Sequence, residues 1–227
     1  ATMMTCSFSA CSDNDDPTPD TGTSETDAKF EAIAKQYLDH TVYVTYKNLA
    51  DETEQLVKDL QALKSSKTDA NVKATCETFL EARAWWEKSE AFLYGSATDF
   101  GIDPHIDSWP LDLDGLQTAL KNTEQVEAMG GEDGDIYAGE KLGNSLLGFH
   151  GIEYILFEDG SPKSVSKISD LHLTYAVAVA GDLRNRCWQL ELSWRGESAV
   201  NADRVAKVAN ELELPYTVNS GEYSYGE

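Results

Sequence analysis

Apolar side chains recur every three or four positions along most of this chain, a spacing that builds the buried face of an α-helix. This periodicity predicts long helices over about residues 27–64, 69–94, 137–157 and 168–194, a short helix over 116–128 and a further amphipathic helix over 199–212. Strand-type alternation is almost absent, although the β-branched cluster at residues 41–45 locally favours a strand. Long helices joined by short turns predict an all-α fold, an up-and-down helical bundle.

The segments between these helices set the domain limits. Residues 96–113 contain Pro104 and Pro110, which exclude a continuous helix, yet the stretch is apolar enough to be packed. Beyond Pro215 the chain is polar and rich in Tyr and Gly. We therefore assign residues 27–212 to one helical domain and residues 213–227 to an irregular tail.

The N-terminal segment is unlike the rest of the chain. Residues 1–10 are short, small and mildly apolar, and they resemble the end of a bacterial lipoprotein signal peptide that is cut before an acylated Cys11. Residues 11–26 carry acids and turn formers with almost no apolar side chains, which predicts a disordered tether. The acidic run resembles surface-export signals of Bacteroidota lipoproteins. The alternative is an ordinary acidic linker that follows a chance cysteine.

The charge balance limits the partners. The chain has 18 Lys and Arg residues against 40 Asp and Glu residues, a formal net charge of −22. This excess excludes nucleic acid and an anionic membrane surface as binding partners, so membrane attachment is expected only through the lipid on Cys11. A cationic partner or metal ion fits, although the acidity also fits a role in solubility alone. Cys76 and Cys187 lie in helical patterns and are expected to be unpaired core thiols, with a disulfide as the alternative.

The best candidate for chemistry is the pair His150 and Glu153, which lies inside an apolar run of the helix predicted over residues 137–157. Positions three apart lie on one helix surface, and imidazole and carboxylate are both metal ligands. The order is the reverse of the Glu-x-x-His of carboxylate-bridged bundles, so the spacing alone is a weak signal. The alternative is a hydrogen-bonded polar pair without a metal.

Glu90 and Asp107 are the candidate partner carboxylates. Glu90 interrupts the apolar stripe of the second long helix, and Asp107 lies in the packed, proline-containing segment. Glu90 could instead extend to solvent at a bundle edge, and Asp107 could cap a loop or a helix end. His105, in the same segment, could simply be solvated. Glycine loops that bind phosphate and nucleophile-elbow motifs are absent from the sequence.

Three segments, in order, resemble the imelysin-like proteins, also called peptidase family M75. The stretch from Gly148 to Phe157 resembles the Gly-x-His-x-x-Glu segment of that family. Residues 83–92, Arg-Ala-Trp-Trp-Glu-Lys-Ser-Glu-Ala-Phe, resemble its second-helix segment, and residues 106–111 resemble its Ile-Asp-x-Trp-Pro loop. The resemblance covers about residues 28–196. His105 stands where family members often carry Arg before Ile-Asp.

The resemblance implies an all-α fold in a bacterial envelope location, with a cleft around the His/Glu motif. Family chains are usually much longer, so this chain resembles the N-terminal half of a two-bundle architecture, and residues 213–227 resemble the start of a second half. The expected function is metal binding at His150, Glu153, Glu90 and Asp107, with iron favoured over zinc or another divalent ion, alongside envelope iron-uptake components. A metal-dependent peptidase and a non-catalytic interaction or polysaccharide-binding lipoprotein are the alternatives.

Overall fold

The computed structural model describes residues 24–218 and 221–227. The chain divides into two units, residues 1–36 and residues 37–227. Within the described part of the first unit, helix α1 (Glu25–Tyr37) has no buried residue. Among the described residues, the apolar core and the candidate site lie in the second unit.

Three long helices form the frame of the second unit. A π-helical turn, Leu38–Val42, precedes α2 (Tyr43–Ser65), and α3 (Asp69–Lys88) follows after a short turn. The turn ends at Thr68, whose hydroxyl accepts a hydrogen bond from the Asn71 amide and so caps the first turn of α3. Helix α10 (Asp170–Arg195) packs against α2, and α2 packs against α3.

Shorter elements pack around this frame. The remaining α-helices are α4 (Ser96–Asp99), α5 (Ile102–Ile106), α6 (Leu113–Lys121), α7 (Thr123–Met129), α8 (Gly134–Lys141), α9 (Gly148–Leu156) and α11 (Ala202–Val205). Short 3₁₀-helices occur at Ser89–Phe92, Asn144–Leu146 and Val165–Lys167, and a π-helical segment occurs at Ala206–Glu211. Two antiparallel strands, β1 (Phe157–Glu158) and β2 (Ser161–Pro162), form a small hairpin. Helices α7, α8 and α9 all contact α10.

The core between these helices is apolar and aromatic. Trp86, Tyr46, Tyr175 and Phe149 are among the largest fully buried side chains. Cys76 and Cys187 are buried and unpaired, as their helical patterns predict. The all-α fold predicted from periodicity is confirmed, since the two-residue strands of the hairpin are the only extended pairing among the described residues. No helix in the described ranges is long and apolar enough to cross a membrane.

Several predicted helices end or break earlier than expected. The second long helix stops at Lys88 and tightens into the turn Ser89–Phe92 instead of continuing to residue 94. The helix predicted over 137–157 is divided into α8 and α9, because Leu142 and Leu147 have extended backbone and Gly148 has a left-handed φ of +64°, which a continuous helix does not allow.

Two further helices are also divided. The helix predicted over 116–128 is two helices that meet at Asn122, whose side chain caps α7. In the segment predicted over 199–212, α-helix gives way to a π-helical turn after Val205.

The predicted leader and most of the tether, including Cys11, lie outside the described residues. Helix α1 begins at Glu25, so the last two residues of the predicted tether are helical. In the described part of the tail, the Tyr225 amide donates a hydrogen bond to the Ser193 carbonyl at the end of α10.

Candidate functional site

Helix α9 carries the His/Glu pair, and its first residue explains its position. Gly148 has φ +64°, and a Cβ at this position would overlap the carbonyl oxygen of Ile106. Because glycine has no Cβ, the start of α9 can lie directly against the end of α5. This close approach places His150 beside Asp107, the residue that follows α5.

The imidazole of His150 lies between two carboxylates. Its Nε2 lies 3.0 Å from Oδ1 of Asp107, and its Nδ1 lies 3.2 Å from Oε2 of Glu153. A neutral imidazole can donate to only one of these oxygens, whereas an imidazolium can donate to both. The side chains of His150 and Asp107 are 16% and 13% exposed, and that of Glu153 is 52% exposed. His150 therefore has a buried carboxylate, Asp107, on one side and a half-exposed carboxylate, Glu153, on the other.

Asp107 is fixed by two side chains from α3. Arg83 forms an ion pair with Oδ1, and the indole Nε1 of the fully buried Trp86 donates a 2.8 Å hydrogen bond to Oδ2. Arg83 also pairs with Glu87 at 2.6 Å. Burial alone would lower the pKa of Arg83, but the hydrogen bond and charge of Asp107, with Glu87, raise it above its usual value. The guanidinium therefore stays charged and keeps Asp107 in place.

These contacts define what Asp107 can do. Its oxygens are already engaged by Arg83, Trp86 and His150. A carboxylate in this position orients an imidazole, and metal-binding histidines commonly have such a partner on their second ring nitrogen. We therefore assign Asp107 to the support of His150 rather than to a ligand position.

Glu90 lies apart from this group. It is exposed on the turn Ser89–Phe92, and it forms no ion pair or hydrogen bond with any described residue. Within residues 24–218 and 221–227, no group of three or more His, Cys, Asp and Glu side chains is arranged to hold a metal ion. Of the four candidate ligands, His150 and Glu153 are thus the pair that lies side by side with one half-exposed member.

A cavity of about 410 Å³ opens next to the pair. His150 and Glu153 are among the residues that line this cavity. Most of the lining is apolar or aromatic: Phe79, Leu80, Trp109, Leu111, Tyr154 and Phe157. Trp109 is 73% exposed, and its ring centroid lies 4.8 Å from that of His150. A cavity of this size and character is typical of a site for a small organic molecule.

His105 has a separate role. Its Nε2 lies 2.7 Å from Oδ2 of Asp182, a buried residue in the middle of α10. It therefore ties α5 to α10 and is not the solvated loop residue that the sequence suggests. The roles of Arg83 and Trp86 are likewise not predicted from the sequence. The available signal is that Arg83 and Trp86 are three residues apart and so share one helix surface.

An all-helical unit in which a Gly-x-His-x-x-Glu helix packs on an Ile-Asp-x-Trp-Pro segment defines a class of bacterial helical proteins. The chain belongs to this class, the imelysin family (peptidase M75), whose sequence pattern matches residues 42–219. It is 31% identical over 163 residues to "Iron-regulated protein A" of Synechococcus elongatus, a match that covers 71% of this chain and 40% of the relative.

Two crystal structures are similar to this fold. One is described as a putative iron-regulated protein A precursor from Parabacteroides distasonis, with a TM-score of 0.66 and 26% identity over 86% of this chain and 54% of that one. The other is described as an imelysin peptidase from Bacteroides ovatus, with a TM-score of 0.53 and 33% identity over 61% and 39% of the two chains. The chain therefore spans about half, or less, of the length of these relatives.

Proposed function

We propose that this chain is an iron-handling imelysin of the bacterial cell envelope and that it binds a metal ion through His150 and Glu153. The observation that carries the proposal is the orientation of His150 by Asp107, a carboxylate that Arg83 and Trp86 hold in place. Such a partner fixes the ring and raises its basicity as a ligand. The half-exposed Glu153 supplies an oxygen on the open side.

The donor set also limits which metal fits. One imidazole and one carboxylate suit iron, manganese or zinc, and they do not select among these ions. The name of the Synechococcus relative favours iron. Two donors leave most coordination positions to be filled by water, by a ligand that the metal brings, or by other parts of the protein. A shell with so few protein donors favours a metal that is taken up and released over one held permanently.

The proposed location is the cell envelope, where the lipid on Cys11 would anchor the protein in a membrane, facing the periplasm or exposed at the outer-membrane surface. The support is sequence alone, namely the Ser-Ala-Cys junction and the acidic segment behind it. Mass spectrometry of protein extracted from envelopes would detect the acyl groups. An unmodified Cys11 would contradict the anchor without affecting the metal proposal.

Metal titration of the full-length protein, as the cell makes it, tests the function. Ferrous iron under anaerobic conditions, Mn(II) and Zn(II) would be added in turn and followed by calorimetry. We expect saturable binding of at least ferrous iron. His150→Ala and Glu153→Gln should each weaken it at least tenfold, and Asp107→Asn should weaken it by about 10–100-fold through the loss of the orienting carboxylate.

Glu90→Gln is the matched control, because Glu90 is a ligand predicted from the sequence that is exposed in the structure and forms no hydrogen bond or ion pair with His150. It should bind metal as the wild type does. Absence of binding by the wild-type protein, or equal losses in Glu90→Gln and Glu153→Gln, would overturn the proposal.

A further inference from the structure

The cavity beside His150 has the properties of an organic binding site in its own right. Its floor is formed by Phe79 and Phe157, whose ring centroids lie 5.4 Å apart, and Tyr154 and Leu111 extend the apolar lining. Trp109 stands at the cavity with most of its indole in water. Covering such a ring with a ligand removes a large apolar surface from water, which favours binding.

The charges at the cavity rim indicate which charge a ligand should carry. Glu153 interacts only with His150 among the described residues. Asp159, on the turn between β1 and β2, is exposed and forms no ion pair or hydrogen bond with any described residue. Glu158, in contrast, is neutralised by its ion pair with Lys167. Two carboxylates at the rim thus lack a fixed cation.

Lys163, the other lysine near this hairpin, is bonded elsewhere. The ammonium of Lys163 lies 4.7 Å from the centroid of the Tyr154 ring and donates a hydrogen bond to the Tyr154 carbonyl oxygen. It is not among the residues that line the cavity. The chain as a whole carries a formal charge of −22, which repels anionic ligands and attracts cationic ones.

We infer that this cavity binds a small organic ammonium ion with an aromatic or aliphatic body. The apolar body would lie against Phe79, Phe157 and Tyr154, and the ammonium would lie at the rim near Glu153 and the face of Trp109. A cation over an indole is attracted by the negative face of the ring, and a carboxylate on the other side adds to this attraction. The inference goes beyond the metal proposal and requires no metal.

Three probes of nearly equal shape test the inference: phenethylamine, which is an ammonium ion at neutral pH, phenethyl alcohol, which is neutral, and hydrocinnamate, which is an anion. Each would be titrated into the full-length protein in the presence of EDTA and followed by NMR. The ammonium should bind about tenfold more tightly than the alcohol, because a cation–π contact and a half-exposed carboxylate each add a modest gain. Hydrocinnamate should bind more weakly than the alcohol.

Two variants locate the interaction. Glu153→Gln should remove most of the preference for the ammonium over the alcohol, whereas Glu90→Gln, a change of the same kind at an exposed position outside the cavity, should leave it unchanged. Trp109→Ala should weaken both probes. Equal affinity for the ammonium and the alcohol, no binding of any probe, or an unchanged preference in Glu153→Gln would each overturn the inference.

The two proposals fail separately. Binding of the ammonium by a protein that binds no metal would reject the metal site and retain the organic site. Metal binding without any preference for the ammonium would do the reverse. Because Glu153 belongs to both sites, a protein that passes both tests should show competition between ferrous iron and phenethylamine.

Discussion

Removal of the Asp107 carboxylate should destabilise the protein by about 3 kcal/mol. In Asp107→Ala, the fully buried indole N–H of Trp86 loses its acceptor, which costs about 1–3 kcal/mol. Arg83, whose side chain is 25% exposed, loses its partner Asp107 but keeps Glu87. We therefore assign a cost of about 1–2 kcal/mol to the loss of this ion pair, less than the cost of leaving a fully buried charge unpaired. For a unit of this size the sum corresponds to a fall in Tm of roughly 6–12 °C.

Urea unfolding followed by circular dichroism would measure the change from the midpoint at constant m-value. Asp107→Asn keeps an oxygen that can accept from Trp86 but removes the charge, so its loss should be smaller, about 1–2 kcal/mol. Glu90→Gln should stay within about 0.5 kcal/mol of wild type, as exposed substitutions usually do.

A double-mutant cycle with Trp86→Phe separates the indole hydrogen bond from the rest of the effect. If the bond contributes as argued, Trp86→Phe should cost less in the Asp107→Ala background than in the wild type. The reasoning is refuted if Asp107→Ala unfolds at the same urea concentration as Glu90→Gln, or if the cycle shows no coupling.

Three further predictions concern other parts of the molecule. Gly148→Ala should lower Tm and weaken ligand binding, because its Cβ would overlap the Ile106 carbonyl oxygen. Gly160→Ala is the control, since Gly160 has φ +72° and no heavy atom within 4 Å of an added Cβ, so this variant shows only the left-handed backbone cost of about 1–2 kcal/mol. Equal losses of Tm in the two variants would refute the close approach. Burial, with a smaller contribution from Glu77, raises the pKa of Cys76 to about 12, and burial also raises the pKa of Cys187. In a Cys6→Ser/Cys11→Ser variant, which keeps only these two thiols, Ellman's reagent should label neither in the folded protein at pH 8 and both in urea. Burial alone would raise the pKa of Asp135, but the Asn185 hydrogen bond and the Lys207 and Arg184 charges lower it. The Asp135 carboxylate therefore stabilises the fold above its unfolded pKa near 4, and this contribution is lost as the pH falls further. In urea titrations the difference in unfolding free energy between wild type and Asp135→Asn should shrink below about pH 4, and a constant difference would contradict this.

The helices that the sequence predicts best are those with local start and stop signals. Helix α10 is predicted from periodicity over 168–194 and spans Asp170–Arg195; in the structure Ser169 and His172 form a reciprocal capping box at its start, and Gly196 ends it. The break before α9 cannot be predicted in this way. The left-handed turn at Gly148 lies directly against the carbonyl of Ile106, a residue far away in sequence.

The candidate site shows the same limit. His150 and Glu153 can be identified from the sequence because their spacing is local, and the hydrogen bond between them lies within α9. Glu90 joins them only if 3.6 residues per turn continue through position 94, whereas the helix tightens after Lys88 and turns Glu90 to solvent. The support of Asp107 by Arg83 and Trp86 joins segments more than twenty residues apart, which periodicity cannot relate.

The support of His150 draws on three separate segments, α3, the residue after α5, and α9. A ligand that binds at this junction contacts only a chain in which all three are assembled, so its binding energy adds to the free energy of unfolding. At a hundredfold excess over Kd the gain is about 2.7 kcal/mol. A thermal-shift screen of metal ions and amines would therefore register the natural ligand as a rise in Tm of roughly 5–11 °C, whatever chemistry follows its binding.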